Sequence, residues 1–372
     1  MASIQKRGKT YQYTISRMVN GKSQPIRKGG FNTKKEAQIA ASEMEAQFNK
    51  GIIPYLKPVP FDEYFKDWVK LYKNNLAKAT LKHYKYTYDR IREFFYSMPL
   101  QEISTQDYQK FLNQLGANRS KETVEKVHGH VRACVLDAVD EQIIQRDFTR
   151  KGELIYTSPA KDESEKYLNY HDSILLLNSL QKRLDKGLEY YLLLLALTSG
   201  LRFEELVGLV FDDFDFENNE INVDKTWGYN NRMLTGFGPL KNKASKRKIK
   251  LEAKTMKLFQ NLFKTTRDNE NRLVFYNEKS KYKVIANERA NDILKEVLLE
   301  LNIRPLITIH GLRHTHGSIL LYKKASYQYV SKRLGHEDIQ TTLKVYAHLL
   351  KETLEENNQL AIETFTEMYN AQ

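Results

Sequence analysis

Residues 334–349 read LGHEDIQTTLKVYAHL and carry a histidine, His336, and a tyrosine, Tyr346, on either side of a threonine-rich step. The tyrosine has apolar neighbours at nearly helical spacing, namely Leu343, Val345 and Leu349. An aromatic residue in such a pattern most often packs in a core. From this stretch alone Tyr346 is either a packing residue or a nucleophile, and the rest of the chain has to distinguish the two.

The composition favours a globular chain with an anionic partner. Its 372 residues predict two or three domains, and 41% apolar content is enough to form their cores. Lysine and arginine outnumber aspartate and glutamate by 59 to 46, which gives a net charge of +13. Nucleic acid is the commonest partner of so basic a protein, although many soluble proteins are basic too.

The chain carries no sign of secretion or of a membrane segment. The first residues, MASIQKRGKTYQYTI, lack an apolar signal core, and the longest apolar run, YYLLLLAL at 190–197, is too short to span a bilayer. A single cysteine, Cys134, excludes an internal disulfide framework and a CxxC metal site, and its apolar neighbours predict a buried thiol. We therefore expect a cytoplasmic protein without a membrane partner.

The first fifty residues predict a small βα module. Residues 10–18 suit a strand, Asn20-Gly21 a turn with positive φ, and residues 23–28 a second strand, after which Gly29-Gly30 should break the ladder. Thr33 and Glu36 predict a capping box. The helix that it opens places four apolar residues on one face, namely Ala37, Ala40, Met44 and Phe48. The expected fold is a hairpin or three short strands followed by one helix.

This module carries more than half of the net charge of the chain. Residues 1–50 contain ten lysines and arginines against three acidic residues. A solvated surface would explain the excess, but strands bearing Lys, Arg, Tyr and Gln also suit a DNA groove. From its residues alone, the module at residues 1–52 is either a solvated basic surface or an N-terminal DNA-binding domain.

Three prolines between residues 51 and 60 indicate a linker, and residues 58–152 then read as an all-α domain. Its four amphipathic segments are FDEYFKDWVKLYKNN, ATLKHYKYTYDRIREFF, STQDYQKFLNQL and KETVEKVHGHVRACVLDAVDEQ. The second of them interleaves lysines with tyrosines, which suits contacts to a phosphate backbone. Tyr84 and Tyr88 fit the buried stripe of the helix equally well.

A polar segment at 151–166 leads into a third domain, residues 165–372, where the candidate chemistry concentrates. Within TSGLRFEEL (198–206), Gly200 can end an apolar helix, so that Arg202 starts the next one. Glu205 can brace the guanidinium of Arg202 by a charge-assisted bond, which leaves its planar fork aimed at a phosphate or carboxylate. An ordinary salt bridge at a helix start is the alternative.

Two further segments of the third domain carry cations. LKNKASKRKIKL (240–251) holds six of them and ends as an exposed strand; it is a solvated edge or a turn that places a lysine as a proton donor. HGLRHTHGS (310–318) sets His310 and Arg313 on one helical face, where both can donate to one anion. His310 and His314 have the spacing of zinc ligands, but no glutamate follows His310 and Arg313 would repel a dication, so we expect no metal.

In this order and at these separations, TSGLRFEEL, HGLRHTHGS and LGHEDIQTTLKVYAH resemble the three catalytic boxes of the tyrosine recombinase family, the phage-integrase type of site-specific recombinase. The all-α segment is similar to the core-binding, SAM-like domain of that family, and the basic βα module to its arm-site-binding domain. The resemblance implies a multidomain, mainly α fold whose catalytic domain carries a small antiparallel sheet, the core shared with type IB topoisomerases.

The resemblance also implies a role for each matching residue. Arg202 and Arg313 would clamp the non-bridging oxygens of a scissile phosphate, and His310 and His336 would add hydrogen bonds and move protons. Tyr346 would attack the phosphorus and form a 3′-phosphotyrosyl link. Neither cofactor, nor metal, nor ATP is implied, because the cations of the chain supply the positive charge.

The lysine of the family departs from its usual setting here. The common pattern has proline, lysine and threonine, whereas Leu240-Lys241-Asn242 stands in that place, followed by Ser245, Arg247 and Ile249. Lys241 is the expected general acid for the departing 5′-oxygen, with Lys243 as a second candidate. His314 and His316 are expected to be structural or supporting residues.

The family further implies double-stranded DNA partners, with attachment core and arm sites, and a homo-tetramer on DNA that integrates and excises a mobile element or prophage through a Holliday junction in the bacterial cytoplasm. An excisionase-type accessory factor and a host DNA-bending protein are expected. Alternatives are a type IB topoisomerase-like strand cutter and a DNA-binding regulator without catalysis. The tail after Tyr346 has an apolar stripe that packs on its own domain or on a neighbouring protomer, formed by Leu354, Ala361, Phe365 and Met368.

Overall fold

The protein is described by a computed structural model that covers residues 2–16, 18–19, 22–23, 25–49, 58–159, 162–230, 233, 235–346 and 354–370. The chain divides into two compact units, residues 1–160 and 161–372. The predicted linker residues 51–57 and the predicted Asn20-Gly21 turn lie outside the described residues. Among the described residues, no helix is both long enough and apolar enough to cross a membrane.

The first unit begins with strands and one helix. They are β1 (Ser3–Arg7), β2 (Thr10–Ile15), β3 (Met18–Val19), β4 (Lys22–Ser23), β5 (Ile26–Phe31) and α1 (Lys34–Asn49). β1, β2 and β5 form an antiparallel sheet in the order β1-β2-β5, and β3 pairs with β4. Tyr13, Ile26 and Ala41 are buried between sheet and helix. The predicted strands and helix are confirmed.

Two local expectations for this part need correction. β5 continues through Gly29-Gly30 instead of breaking there, because a register shift between Tyr11 and Tyr13 on β2 absorbs the irregularity. The capping box forms in part: Thr33 Oγ accepts from the Glu36 amide at 3.2 Å, but the Glu36 carboxylate accepts from the amide of Asn32 at 3.0 Å. Of the predicted apolar face, Ala37 is buried and Ala40 and Met44 pack against the small core; the Phe48 side chain lies outside the described residues.

The rest of the first unit is helical and has a core of its own. Its helices are α2 (Phe61–Tyr72), α3 (Lys78–Phe95), α4 (Thr105–Gly116) and α5 (Lys121–Asp140), which confirms the four predicted segments. Phe65 and Trp68 are buried in this core, as is the thiol of Cys134, whereas Leu71 and Tyr72 are exposed. The indole of Trp68 donates to Asp137 at 2.6 Å and so joins α2 to α5.

The tyrosines of α3 take part in packing. The Tyr84 ring stacks on His130 of α5 with 3.9 Å between centroids, and Tyr88 lies partly buried against the same core. The Tyr86 hydroxyl accepts from Arg119 at 3.1 Å. Of the two alternatives for Tyr84 and Tyr88, the structure therefore supports the apolar stripe.

The second unit is a helical domain with a small sheet. Its elements are α6 (Tyr170–Gln181), α7 (Leu188–Ser199), α8 (Phe203–Leu206), β6 (Phe214–Asp215), β7 (Glu220–Val223), β8 (Thr226–Trp227), β9 (Phe237–Gly238), β10 (Arg247–Lys250), α9 (Ala253–Thr265), α10 (Asn287–Glu300), α11 (Ile309–Tyr322), α12 (Tyr327–Leu334), α13 (Ile339–Val345) and α14 (Leu354–Asn370). The antiparallel sheet has the order β10-β7-β6, with Ile249 opposite Ile221.

The apolar helix α7 lies in the middle of the second core. Its leucines at 192–195 are all fully buried, so the helix has no solvent-facing side over that turn. Such a helix is rigid because it is packed on every face. Gly200 then takes the left-handed conformation, with φ +71°, and ends α7 as predicted.

Candidate active site

Arg202 follows closely on the glycine that ends α7, and its guanidinium is held at three points. Nη1 donates to the Glu205 carboxylate at 2.8 Å and to the Ser245 hydroxyl at 3.2 Å, and Nη2 donates to the carbonyl of Gly335 at 3.1 Å. The bracing by Glu205 expected from the sequence is therefore present. Arg202 is joined by these bonds to two distant turns of the chain.

Glu205 is shared between two arginines. It is 1% exposed, and Arg247 of β10 donates to it with Nη2 at 3.0 Å from the other side. Burial by itself would raise the pKa of Glu205, but Arg247 and then Arg202 outweigh burial and hold the pKa below its ordinary value. The carboxylate therefore stays ionised between the two guanidinium groups.

Arg313 on α11 is almost fully buried and only partly paired. Nη1 donates to the carbonyl of Gly200 at 2.7 Å, while Nη2 has no hydrogen-bond partner among the described residues. Burial, followed by the charge of Arg202, lowers the pKa of Arg313 to about 9. A buried donor without an acceptor is costly, and an anion is the group that would satisfy it.

His310 and Lys241 share one cavity with Arg202. The cavity has a volume of about 500 Å³, and its wall also includes Glu204, Tyr229 and Asn291. Burial, followed by the effects of His314 and Arg313, lowers the pKa of His310 to about 4. At neutral pH the imidazole is therefore uncharged and can both donate and accept a hydrogen bond.

His336 sits in the turn between α12 and α13. Gly335 ends α12 in the left-handed conformation. The imidazole of His336, the next residue, is held by a 2.8 Å hydrogen bond between its Nδ1 and Thr342 Oγ. Burial lowers the pKa of His336 to about 3, with Arg313 and Arg202 as the next causes. The two arginines whose charge reaches this imidazole are the predicted phosphate clamp.

Tyr346 directly follows α13 and is 1% exposed. Its hydroxyl donates to the carbonyl of His314 at 3.4 Å and rests against Gly317 of α11, where a Cβ atom would overlap it. Burial raises the pKa of Tyr346, while Arg313 lowers it. In this structure the tyrosine is thus a packed residue that the charge of Arg313 reaches.

Asn242, which stands where the family usually has threonine, builds the short turn that follows Lys241. We call residues 242–245 the lysine turn. The Asn242 side chain accepts from the amide of Ser245 at 2.9 Å and from its hydroxyl at 2.7 Å, which fixes a short 3₁₀ turn. Lys241 precedes the turn and lines the cavity, whereas Lys243 is part of the turn and does not line the cavity. Further along, Lys248 and Lys250 are the solvated edge that the charge run also predicted.

The two remaining histidines of α11 lie outside the cavity wall. His316 donates from Nδ1 to the carbonyl of Leu197 at 2.9 Å and accepts from Arg333 at Nε2, also at 2.9 Å. The His314 ring packs edge-on against His310 with 4.8 Å between centroids. These contacts support the structural roles expected for both. Within the part of the chain that is described, no three His, Cys, Asp or Glu side chains are grouped as metal ligands.

Residues 166–353, half of the chain, match the Phage integrase family. The chain belongs to the phage integrase family. Residues 3–48 match the Arm DNA-binding domain and residues 60–116 the N-terminal SAM-like domain of phage integrases. This integrase is therefore a DNA-binding tyrosine recombinase and a DNA strand transferase, as the sequence predicted. The domain boundaries predicted from the sequence remain predictions.

Individual relatives agree with this assignment. The integrase is 26% identical to the Integrase of Staphylococcus phage L54a over 82% of this chain and 94% of the relative. It is 25% identical to a tyrosine recombinase XerC-like protein of Caldanaerobacter subterraneus subsp. tengcongensis over 98% of each chain. The Tn1549 transposon integrase in complex with transposon right end DNA has the same fold, with a TM-score of 0.68 and 18% identity over 82% of this chain and 100% of that one. The predicted fold class is confirmed.

Of the residues predicted from the sequence, Arg202, Lys241 and His310 line the cavity. Arg247 was noted in the sequence only as part of a pattern. A signal for its position was present. Residues two apart on a strand share one face, so Arg247 had to point to the same side as the apolar Ile249. An arginine on the buried face of a strand needs a buried acid, and Glu205 is that acid.

Proposed function

We propose that this integrase cuts and rejoins DNA strands with Tyr346 as the nucleophile and Arg202 and Arg313 as the phosphate clamp. The observation that carries the proposal is the unpaired Nη2 of buried Arg313, which lies among the cations of the site. A buried donor without a partner lowers the stability of the folded protein until an anion binds to it. A scissile phosphate has two non-bridging oxygens to accept from the two guanidinium groups.

The reaction is a transesterification at phosphorus. The Tyr346 oxygen loses its proton and bonds to phosphorus while the bond from phosphorus to the 5′-oxygen breaks, which leaves a 3′-phosphotyrosyl link. The extra negative charge of the pentacoordinate state falls on the oxygens held by Arg202 and Arg313. Attack by the 5′-hydroxyl of another strand reverses the step and joins the strands. No ATP or metal ion enters this scheme.

Proton transfer falls to the lysine and the neutral histidines. Lys241 is proposed to protonate the departing 5′-oxygen, since it lines the cavity beside Arg202 and His310. His310 and His336 have low pKa values, so each can accept a proton or a hydrogen bond at neutral pH. A phosphate between them would raise both pKa values through its charge.

Tyr346 has to move for this chemistry. Its hydroxyl is buried against Gly317 and donates to a backbone carbonyl. A nucleophile must approach phosphorus within about 3 to 3.5 Å and in line with the leaving group, which a buried hydroxyl cannot do. We propose that binding of DNA draws the tyrosine out of this contact toward the arginines.

Two strand exchanges through a Holliday junction require four active sites, so we propose a homo-tetramer that holds attachment core and arm sites in the bacterial cytoplasm. An excisionase-type factor and a host DNA-bending protein would set the direction of recombination. The exposed apolar side chains of α14 support a docking role between protomers, notably Phe365 and Met368.

A nicked duplex carrying the attachment core tests the nucleophile. Cleavage beside the nick releases a short strand, so religation fails and the protein stays covalently on the DNA. We expect Tyr346→Phe to abolish the adduct and to leave binding unchanged. Tyr322→Phe, at an exposed position of α11, is the matched control. An adduct with the Tyr346→Phe variant would show that another residue attacks, and binding without adduct in the unaltered protein would favour a regulator.

A further inference from the structure

We infer that Arg247 is a positioning residue of the active site, which acts on Arg202 through Glu205 and keeps the charge of Arg202 available to the phosphate. This inference rests on the proposed phosphate clamp. It adds an arginine of β10 that touches neither the phosphate nor the nucleophile in the proposed mechanism.

The first observation is the arrangement of donors around Glu205. Arg202 donates to Oε1 from its side chain and to Oε2 from its backbone amide, at 2.8 Å and 3.0 Å. Arg247 donates to the same two oxygens at 3.3 Å and 3.0 Å. The carboxylate is thus satisfied from both sides, and the Arg247 side chain that completes it is only 7% exposed.

The second observation is electrostatic. A buried carboxylate paired with a single arginine forms a neutral pair, whose field on a third group is weak. With both arginines present, Arg202, Arg247 and Glu205 carry one net positive charge. Arg247 therefore cancels the bracing acid, and the positive charge of Arg202 remains to attract a phosphate oxygen.

The third observation concerns the turns that carry other site residues. Arg247 donates to the carbonyl of Ser245 and to that of Arg333, both at 2.7 Å. Arg202 bonds the same two turns, through the Ser245 hydroxyl and the carbonyl of Gly335. Two arginines and one acid thereby hold the lysine turn and the His336 turn against α8.

The far end of this network is itself fixed. Arg333 donates to His316 at 2.9 Å and to the carbonyl of Lys250 at 3.0 Å, so the carbonyl that Arg247 uses is held in place. Gly335 leaves little room around the guanidinium, since a Cβ there would lie 2.9 Å from Nη1 of Arg247. A lysine at 247 would place one charge near Glu205 but lacks the fork that reaches both turns.

The test uses the full-length protein on nicked attachment-core duplexes of two kinds. One has an ordinary scissile phosphate; in the other a methyl group replaces a non-bridging oxygen and removes the charge that the clamp must stabilise. We expect Arg247→Gln to slow single-turnover cleavage of the ordinary phosphate about 100-fold at saturating DNA, as loss of an oxyanion donor does. The Kd for DNA should change less than about threefold. On the methylphosphonate the loss should shrink to less than about tenfold.

Three companion variants make the result decisive. Arg272→Gln removes a surface arginine paired with Asp212 in the same unit and should have no effect. Arg247→Lys should fall between the unaltered protein and Arg247→Gln, and it carries the test if the glutamine variant does not fold. Arg202→Gln should lose more activity, and the loss from Arg247→Gln should largely vanish in its background.

The outcomes separate the inference from the proposal beneath it. An equal loss on both substrates, or a rate unchanged by Arg247→Gln, would overturn the positioning role. Losses that add fully in the double variant would do the same. If Arg202→Gln cleaved ordinary DNA at the normal rate, the clamp itself would be wrong, whatever Arg247 did.

Discussion

At the scale of single residues, the contact between Tyr346 and Gly317 has no room for a side chain. An added Cβ would overlap the tyrosine hydroxyl, so Gly317→Ala should displace Tyr346 from its place beside the carbonyl of His314. We expect a 3-fluorotyrosine at position 346 to give a shifted, solvent-exposed fluorine resonance in the alanine variant without DNA. The covalent adduct should also form faster if leaving the contact limits the rate.

The control for this prediction is Gly129→Ala. Gly129 is also inside a helix, and a Cβ there meets nothing within 4 Å, so the change alters helix propensity alone. That effect favours alanine by about 1 kcal/mol. An unshifted resonance in the Gly317→Ala variant would show that the helix gives way instead of the tyrosine.

The two candidate lysines can be separated at the leaving group. A substrate whose 5′-bridging oxygen is replaced by sulfur needs no general acid, because a thiolate leaves unprotonated. We expect Lys241→Ala to lose about 10²- to 10⁴-fold in cleavage of the oxygen substrate and to recover on the sulfur substrate. Lys243→Ala, two residues away and outside the cavity wall, is the matched control. The opposite pattern would transfer the role to Lys243.

At the scale of elements, α14 ends the described chain with an apolar side that is open to solvent. Ile362, Phe365 and Met368 are each at least 60% exposed. If this side docks on a neighbouring protomer, truncation after residue 350 should weaken association of DNA-bound protomers while one protomer still binds a half-site. Native gels with one and two half-sites distinguish the two effects.

Point substitutions sharpen this prediction. Phe365→Ser on the apolar side should mimic the truncation, whereas Glu367→Gln on the same helix should not. Unchanged association and unchanged adduct formation in the truncated protein would mean that α14 has no role between protomers.

Helices and strands could be predicted where one hydrophobic pattern, or one residue that ends a helix, dominated the local sequence. The leucines of α7 and the glycine after it fixed that helix and the place of Arg202. The prediction that Gly29-Gly30 breaks the ladder was wrong, because glycine permits an irregular backbone as readily as it ends a strand. The neighbouring strand β2 absorbs the resulting register shift. The contact between Tyr346 and Gly317 could not be predicted from the sequence. It depends on glycine having no side chain at a position distant in sequence from the tyrosine.

At the scale of the whole molecule, the neutral histidines link stability to pH. Burial, then Arg333, lowers the pKa of His316 to about 3, against an ordinary value near 6.5 in an unfolded chain. Below about pH 6.5 the unfolded form therefore binds the proton that the folded form excludes. The contribution of His316 is complete above about pH 6.5 and is lost as the pH falls toward 3.

We expect the second unit to lose about 2 kcal/mol of unfolding free energy through His316 between about pH 7.5 and about pH 5. The chain has two tryptophans, Trp68 in the first unit and Trp227 in the second, so Trp68→Phe leaves a reporter for the second unit alone. Urea titrations of that protein, with and without His316→Gln, measure the effect. A pH dependence that His316→Gln leaves unaltered would refute it.

The unpaired Nη2 of Arg313 also links the stability of the folded protein to binding of its substrate. Until an anion binds, Arg202 and Arg247 repel the buried guanidinium of Arg313, and this repulsion is unfavourable to the folded protein. Any ligand that binds only the folded form stabilises it by mass action. A DNA phosphate bound to Arg313 therefore stabilises the folded recombinase as well as serving as its substrate.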